Sequence, residues 1–102
     1  MIVRSWRGYA DAGKAPAYSE HLLGSVRPKL EQLAGFRGLY LLRRQQGSEV
    51  EFRVLTLWES MEAVRLFAGN QPDLAVVEPE ARAALIRFDS TVDHYEVVAA
   101  PT

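Results

Sequence analysis

FRGLYLLRRQQGSEVEFRVLTLWES, residues 36–60, holds two runs of strand-forming residues around a short polar turn. Phe36–Arg44 and Glu49–Glu59 read as a pair of strands separated by Gln45-Gln46-Gly47-Ser48. A three-residue loop with Gly47 in the left-handed region predicts a hairpin with a bulge. That odd-length loop places the even-numbered residues of both strands on one face. Phe36, Tyr40, Leu42, Phe52, Val54, Thr56 and Trp58 then share a side. Leu39, Leu41, Leu55 and Leu57 take the other, with Arg43, Glu51 and Arg53 near the turn end and Arg43–Glu51 as a cross-strand ion pair. Both faces of this hairpin are therefore apolar.

The flanking segments read as helices and further strands. Ser60 is a good N-cap, with Glu62 near the positive end of the following helix. Met61, Val64, Phe67 and Ala68 form its apolar face, and Gly69 closes it. Upstream, Ile2–Arg7 reads as a strand and Asp11-Ala12-Gly13 as a break. Ala15, Tyr18, Leu22, Val26, Leu30 and Leu33 recur at helical steps over Ala15–Leu33. Pro28 removes one backbone hydrogen bond inside that run and crowds the Gly24 carbonyl, which predicts a kink or two helical pieces. Downstream, Asn70–Glu78 reads as a loop, Pro79–Arg87 as a short helix and Thr91–Ala99 as the last strand. The order βαββαβ is the split βαβ, or ferredoxin-like, arrangement: an α+β fold with an antiparallel sheet and helices on one face.

The 102 residues suit a single domain spanning 1–102, and 48% apolar content suits a folded one. With 12 basic and 13 acidic residues mixed along the chain, no concentrated basic surface for nucleic acid is expected. The chain has no cysteine, which excludes disulfides, thiolate nucleophiles, Cys-ligated zinc and iron–sulfur clusters. No run approaches the roughly 20 apolar residues of a membrane span, and the N-terminus lacks a signal-peptide core. The expectation is a cytoplasmic protein without membrane or nucleic-acid partners. A sheet covered on one side needs one apolar face, and this hairpin offers two. Burying Leu39, Leu41, Leu55 and Leu57 is worth roughly 1.5–3 kcal/mol each, before association costs. That predicts a sheet-to-sheet homodimer.

Several pieces of the chain together resemble the antibiotic biosynthesis monooxygenase domain of the dimeric α+β barrel superfamily. They are WRGY near the start, AYSEHLLGSVRPKLEQLAGFRGLYLLRR, EVEFRVLTLWES, VRLFAG, AVVEPEARAAL and FDSTVDHYEV, covering nearly the whole chain. The resemblance implies a small homodimer with a pocket between sheet and helices in each subunit. Some members oxidise phenols to quinones with O2 and no metal, flavin or haem; others bind and degrade haem. Haem degraders of this kind use an asparagine at the end of the first strand, a tryptophan in the second helix and a haem-ligating histidine beyond it. Counted from the WES junction, those places hold Trp6, Phe67 and a residue near Val77, so haem degradation is not expected.

Among candidate residues, His94 is the first choice for a proton acceptor, because a histidine can deprotonate a phenol near neutral pH. Trp6, Tyr40, Trp58 and Phe67 form a candidate slot for a small aromatic molecule, with Tyr18 and His21 on one side of the first helix. Arg4 shares strand parity with Trp6 and is a candidate partner for a phenolate. Each has a plainer reading: a core aromatic, a solvated histidine, a surface arginine. Two histidines far apart in the chain, at positions 21 and 94, with no clustered acids predict no metal site, and no cofactor is expected. No serine has a His/Asp partner at a recognisable spacing. The functional expectation is a cofactor-independent monooxygenase acting on a small aromatic or quinol. The alternative is a dimer that binds a hydrophobic molecule without transforming it.

Overall fold

The computed structural model describes residues 1–101. The chain forms β1 (Ile2–Asp11), α1 (Ala15–His21), a π-helical turn (Leu22–Val26), α2 (Arg27–Leu30), β2 (Phe36–Gln46), β3 (Glu49–Trp58), α3 (Met61–Ala68), α4 (Pro79–Ala84), β4 (Arg87–Phe88) and β5 (Asp93–Glu96). The antiparallel sheet has the order β2-β3-β1-β4, and β5 pairs with the same edge of β1 as β4 does. This is the ferredoxin-like α+β fold expected, with its helices on one face. The last strand, β5, is shorter than the expected Thr91–Ala99; the last helix ends at Ala84 rather than Arg87, and Arg87–Phe88 forms the additional short strand β4. No helix among the described residues is long and apolar enough to cross a membrane.

Local chemistry explains the elements. Ser60 caps α3 by accepting a hydrogen bond from the Ala63 amide at 3.2 Å, and Gly69 ends it at φ +79°. Pro28 cannot donate to Gly24, and the helix adjusts just before it. The Arg27 amide instead reaches Leu22 O, one residue further back than an α-helical bond, producing the π turn. The helical run therefore forms as two α pieces joined by that turn.

The hairpin register differs from the sequence reading. The loop is two residues, Gly47-Ser48, with Gly47 at φ +63° in the manner of a type II′ turn. Partners across it have opposite parity: Arg44 faces Glu51, and Leu41 faces Val54. The ion pair is accordingly Arg44–Glu51, at 2.9 Å, and not Arg43–Glu51. Leu39 and Leu41 turn toward the helices and pack against the core. Tyr40 and Leu42 turn to the open face, where they are 56% and 44% exposed. A bulge at Phe36/Gly38 shifts the register once more and returns Phe36 to the helix side beside Trp58. Since side chains alternate along a strand, one residue of slip exchanges the faces of a whole strand.

Two apolar clusters fill the space between sheet and helices. One gathers Phe52, Val50 and Ala10 under Tyr18 and Leu22 of the first helical run and Ala81 and Ala84 of α4. The other centres on Trp58, with Leu30, Ala63 and Val64. Between them opens the cavity described next.

Candidate functional site

On β1, Arg4, Trp6 and Gly8 face the helices, in register with Thr56, Val54 and Phe52 of β3. Trp6 donates its indole N–H to the Asp89 carbonyl at 2.8 Å, which fixes the ring. The ring lies over Gly8, where an added Cβ would come within 2.7 Å of it. Tyr18 packs against Trp6 and Phe52, with ring centroids 6.2 and 4.8 Å away. Burial pushes the Tyr18 phenol well above its ordinary pKa, so it stays protonated at neutral pH.

These side chains wall a cavity of about 110 Å³ between β1, β3, the first helical run, α3 and the 70–78 loop. Its lining is mainly apolar: Trp6, Tyr18, Leu22, Val26, Leu30 and Phe67, closed by Val76, Val77 and Val92. Polar groups reach it from Arg4, His21, Lys29, Thr56 and Glu78. The cavity is smaller than the roughly 150 Å³ apolar cavity that takes up benzene, so a single ring is the most it encloses and a larger aromatic extends out of its open mouth.

Arg4 is only 4% exposed. Its Nη1 donates to the Pro72 carbonyl and lies 3.0 Å from His94 Nε2, and Nη2 donates to Leu74 O at 2.9 Å. The guanidinium also sits 5.7 Å from the Phe67 ring centroid. Arg4 thus ties the 70–78 loop to the sheet from inside. Burial lowers its pKa, opposed by the Asp73 carboxylate, but an arginine stays charged at neutral pH.

His94 stands behind Arg4 rather than on the cavity wall. An arginine has no acceptor, so Nε2 must accept from Arg4 and Nδ1 carries the proton. Nδ1 lies 3.3 Å from Asp73 Oδ1. Burial and the Arg4 charge hold the His94 pKa below its usual value. The lone pair that a proton acceptor needs is already engaged.

His21 does line the cavity, and its side chain is only 10% exposed. Its Nε2 lies 3.3 Å from Glu78 Oε1, off the line of a hydrogen bond, and has no other partner. Lys29 Nζ holds the other oxygen of Glu78 at 3.1 Å. Glu80 completes a group of three potential ligands whose donor atoms lie within 4.8 Å of one another. No cluster of acids accompanies either histidine in the sequence, hence the expectation of no metal site; the fold brings Glu78 and Glu80 to His21 from α4 and its approach.

The structure therefore gathers Arg4, Trp6, Tyr18, His21 and Phe67 around one cavity, and leaves Tyr40, Trp58 and His94 off its wall. Tyr40 is on the open face by register. Trp58 is fully buried, donates its N–H to Thr56 Oγ1 at 2.8 Å, and sits between Phe36 and Phe67. It fills the core. Sequence reasoning missed Leu22, Val26 and Leu30 as cavity residues, although their helical spacing put them on the right face. It also missed Glu78, which no local pattern marks.

Comparison with known proteins agrees with this architecture. A family model described as antibiotic biosynthesis monooxygenase matches residues 1–84. No curated protein matches the sequence. Among solved structures, a Bacillus cereus protein carrying the same family name has a TM-score of 0.70 at 20% identity, over 99% of this chain and 96% of its own. The heme-degrader MhuD of Mycobacterium tuberculosis, solved with two hemes in its active site, has a TM-score of 0.67 at 24% identity over 100% of both chains. SnoaB, a cofactor-independent oxygenase of Streptomyces nogalater, has a TM-score of 0.56 at 19% identity, over 99% and 95%.

Proposed function

The chain belongs to the antibiotic biosynthesis monooxygenase family, and we propose that its cavity binds a small phenol or quinol and promotes its oxidation by O2 without a cofactor. The observation that carries this reading is an aromatic-walled cavity beside His21, a shielded histidine whose Nε2 makes no hydrogen bond and lies 3.3 Å from the Glu78 carboxylate, a His–carboxylate pair able to take up a proton. In this reading His21, and not His94, removes the phenolic proton. The resulting phenolate is electron-rich enough to pass an electron to O2, and recombination forms a carbon–oxygen bond. The peroxide anion takes back the proton held by His21, and the hydroperoxide loses water, the ring C–H proton and the distal O–H leaving together, to give the quinone. The buried Arg4 charge favours the anionic substrate over the neutral one. Trp6 and Tyr18 hold the ring, and Phe67 closes the end of the slot.

Haem degradation fits less well. Trp6, Phe67 and Val77 all line the cavity, and none of them can ligate iron. The same residues support a second reading, a binding module that holds an aromatic molecule unchanged. An oxygen electrode separates the two. With naphthols and anthrones, the oxygenase reading expects O2 consumption by protein free of added metal, flavin and haem. Binding of every panel member with no consumption leaves the binding module.

The open sheet face supports a homodimer. Tyr40 and Leu42 replace Leu39 and Leu41 there, beside Leu55, Leu57, Val3 and Tyr95. The slip in register thus exchanged the residues but left the face apolar, and such a face is stabilised by a second copy.

A further inference from the structure

We propose that His21, Glu78 and Glu80 form a binding site for a divalent transition-metal cation at the mouth of the cavity. The inference rests on the placement of these three side chains, not on the oxygenase reading. Three potential ligand atoms from two separate parts of the chain lie within 4.8 Å of one another. The acids do not stand alone: His21 Nε2 is shielded from solvent, has no hydrogen-bond partner, and lies 3.3 Å from Glu78 Oε1. A neutral ring nitrogen with its lone pair toward a carboxylate oxygen is unfavourably placed, and a cation between the two turns that repulsion into ligation.

The geometry of Glu78 suits the role. Oε1 faces His21 while Oε2 is held by Lys29 Nζ at 3.1 Å, so Oε1 can ligate without breaking the ion pair. Glu80 is exposed and in the first turn of α4, with a carboxylate oxygen already within 4.8 Å of the other two ligand atoms. Ligand atoms about 2.0–2.2 Å from a tetrahedral metal lie closer together than those here, so binding draws the three groups in. One imidazole and two carboxylates suit Zn²⁺, Co²⁺, Mn²⁺ or Fe²⁺ better than a soft thiophilic ion.

A cation on Nε2 occupies the lone pair that a proton acceptor would use. The cation is therefore expected to inhibit O2 consumption, if that activity is present.

The direct test is a Co²⁺ titration of the substrate-free protein, followed by the visible d–d band. The expected result is a saturable band of low-coordinate Co²⁺ at one equivalent per chain, displaced by Zn²⁺. Glu80→Gln and His21→Ala each weaken binding by about tenfold or more, since even outer-shell partners of a metal change affinity on that scale. Glu80 is exposed, so Glu80→Gln is expected to melt like the parent protein. A spectrum that remains that of aqueous Co²⁺, or a folded Glu80→Gln protein that binds as tightly as the parent, overturns the site. Neither outcome depends on whether any aromatic substrate is oxidised.

Discussion

His21 and His94 differ in what their ring nitrogens face. His94 is locked between Arg4 and Asp73, and protonating it places a second positive charge against the Arg4 guanidinium. Its folded pKa lies below the ordinary value of about 6.5. The unfolded chain therefore binds this proton more readily, and stability rises with pH through that window. The contribution is complete above about pH 6.5 and is lost as pH falls toward the lower folded value. Chemical denaturation from about pH 7.5 to about pH 5.5 should show a fall in stability that His94→Gln reduces. Trp58 gives a second residue-level expectation. Thr56→Val leaves its buried indole N–H without a partner and should cost about 1–3 kcal/mol, read as a lower urea midpoint. That partner was legible in principle, because residues two apart on a strand share a face. The place of His94 was not: its partners Arg4 and Asp73 come from distant segments, and the sequence shows only a histidine on a strand.

At the scale of elements, the helices and strands were readable because periodicity and capping agree with the packing. Ser60, Gly69 and the Ala15–Leu33 stripe act as local chemistry predicts. The hairpin register was not readable, because both of its faces are apolar and neither shift leaves a run of leucines unburied in an obvious way. The two-residue Gly47-Ser48 loop decided it. The opposite charges of Arg44 and Glu51, directly across the ladder, were the available clue. The 70–78 loop is held from inside by the buried Arg4 side chain and along its flank by backbone bonds to residues 90–92. Arg4→Met should release it, and hydrogen exchange should speed up at the amides of Ala75 and Val92, which bond to Ser90 O and Asp73 O. Unchanged protection there would mean that the loop is held by its own packing. On β1, Gly8→Ala places a methyl against the Trp6 ring and should cost about 1–3 kcal/mol by overpacking, while narrowing the cavity. A lower melting temperature together with weaker naphthol binding is the expected pair of readings.

For the whole molecule, the apolar side chains of the open sheet face and the helix-side cavity lie on opposite sides of the sheet. If the face pairs two copies, light scattering at micromolar concentration gives a dimer mass, and Leu55→Glu shifts it toward monomer. A monomeric parent protein would contradict the pairing. In the cavity, His21 is proposed to remove the proton from a phenolic substrate bound against Trp6 and Tyr18. General-base removal commonly costs about 10²–10⁴-fold in rate. The most direct measurement is O2 consumption with an active naphthol or anthrone, compared among the parent protein, His21→Ala and His94→Ala. The account predicts a loss of that order in His21→Ala with the ligand still bound, and a much smaller change in His94→Ala. Full activity in His21→Ala, or loss confined to His94→Ala, would contradict it.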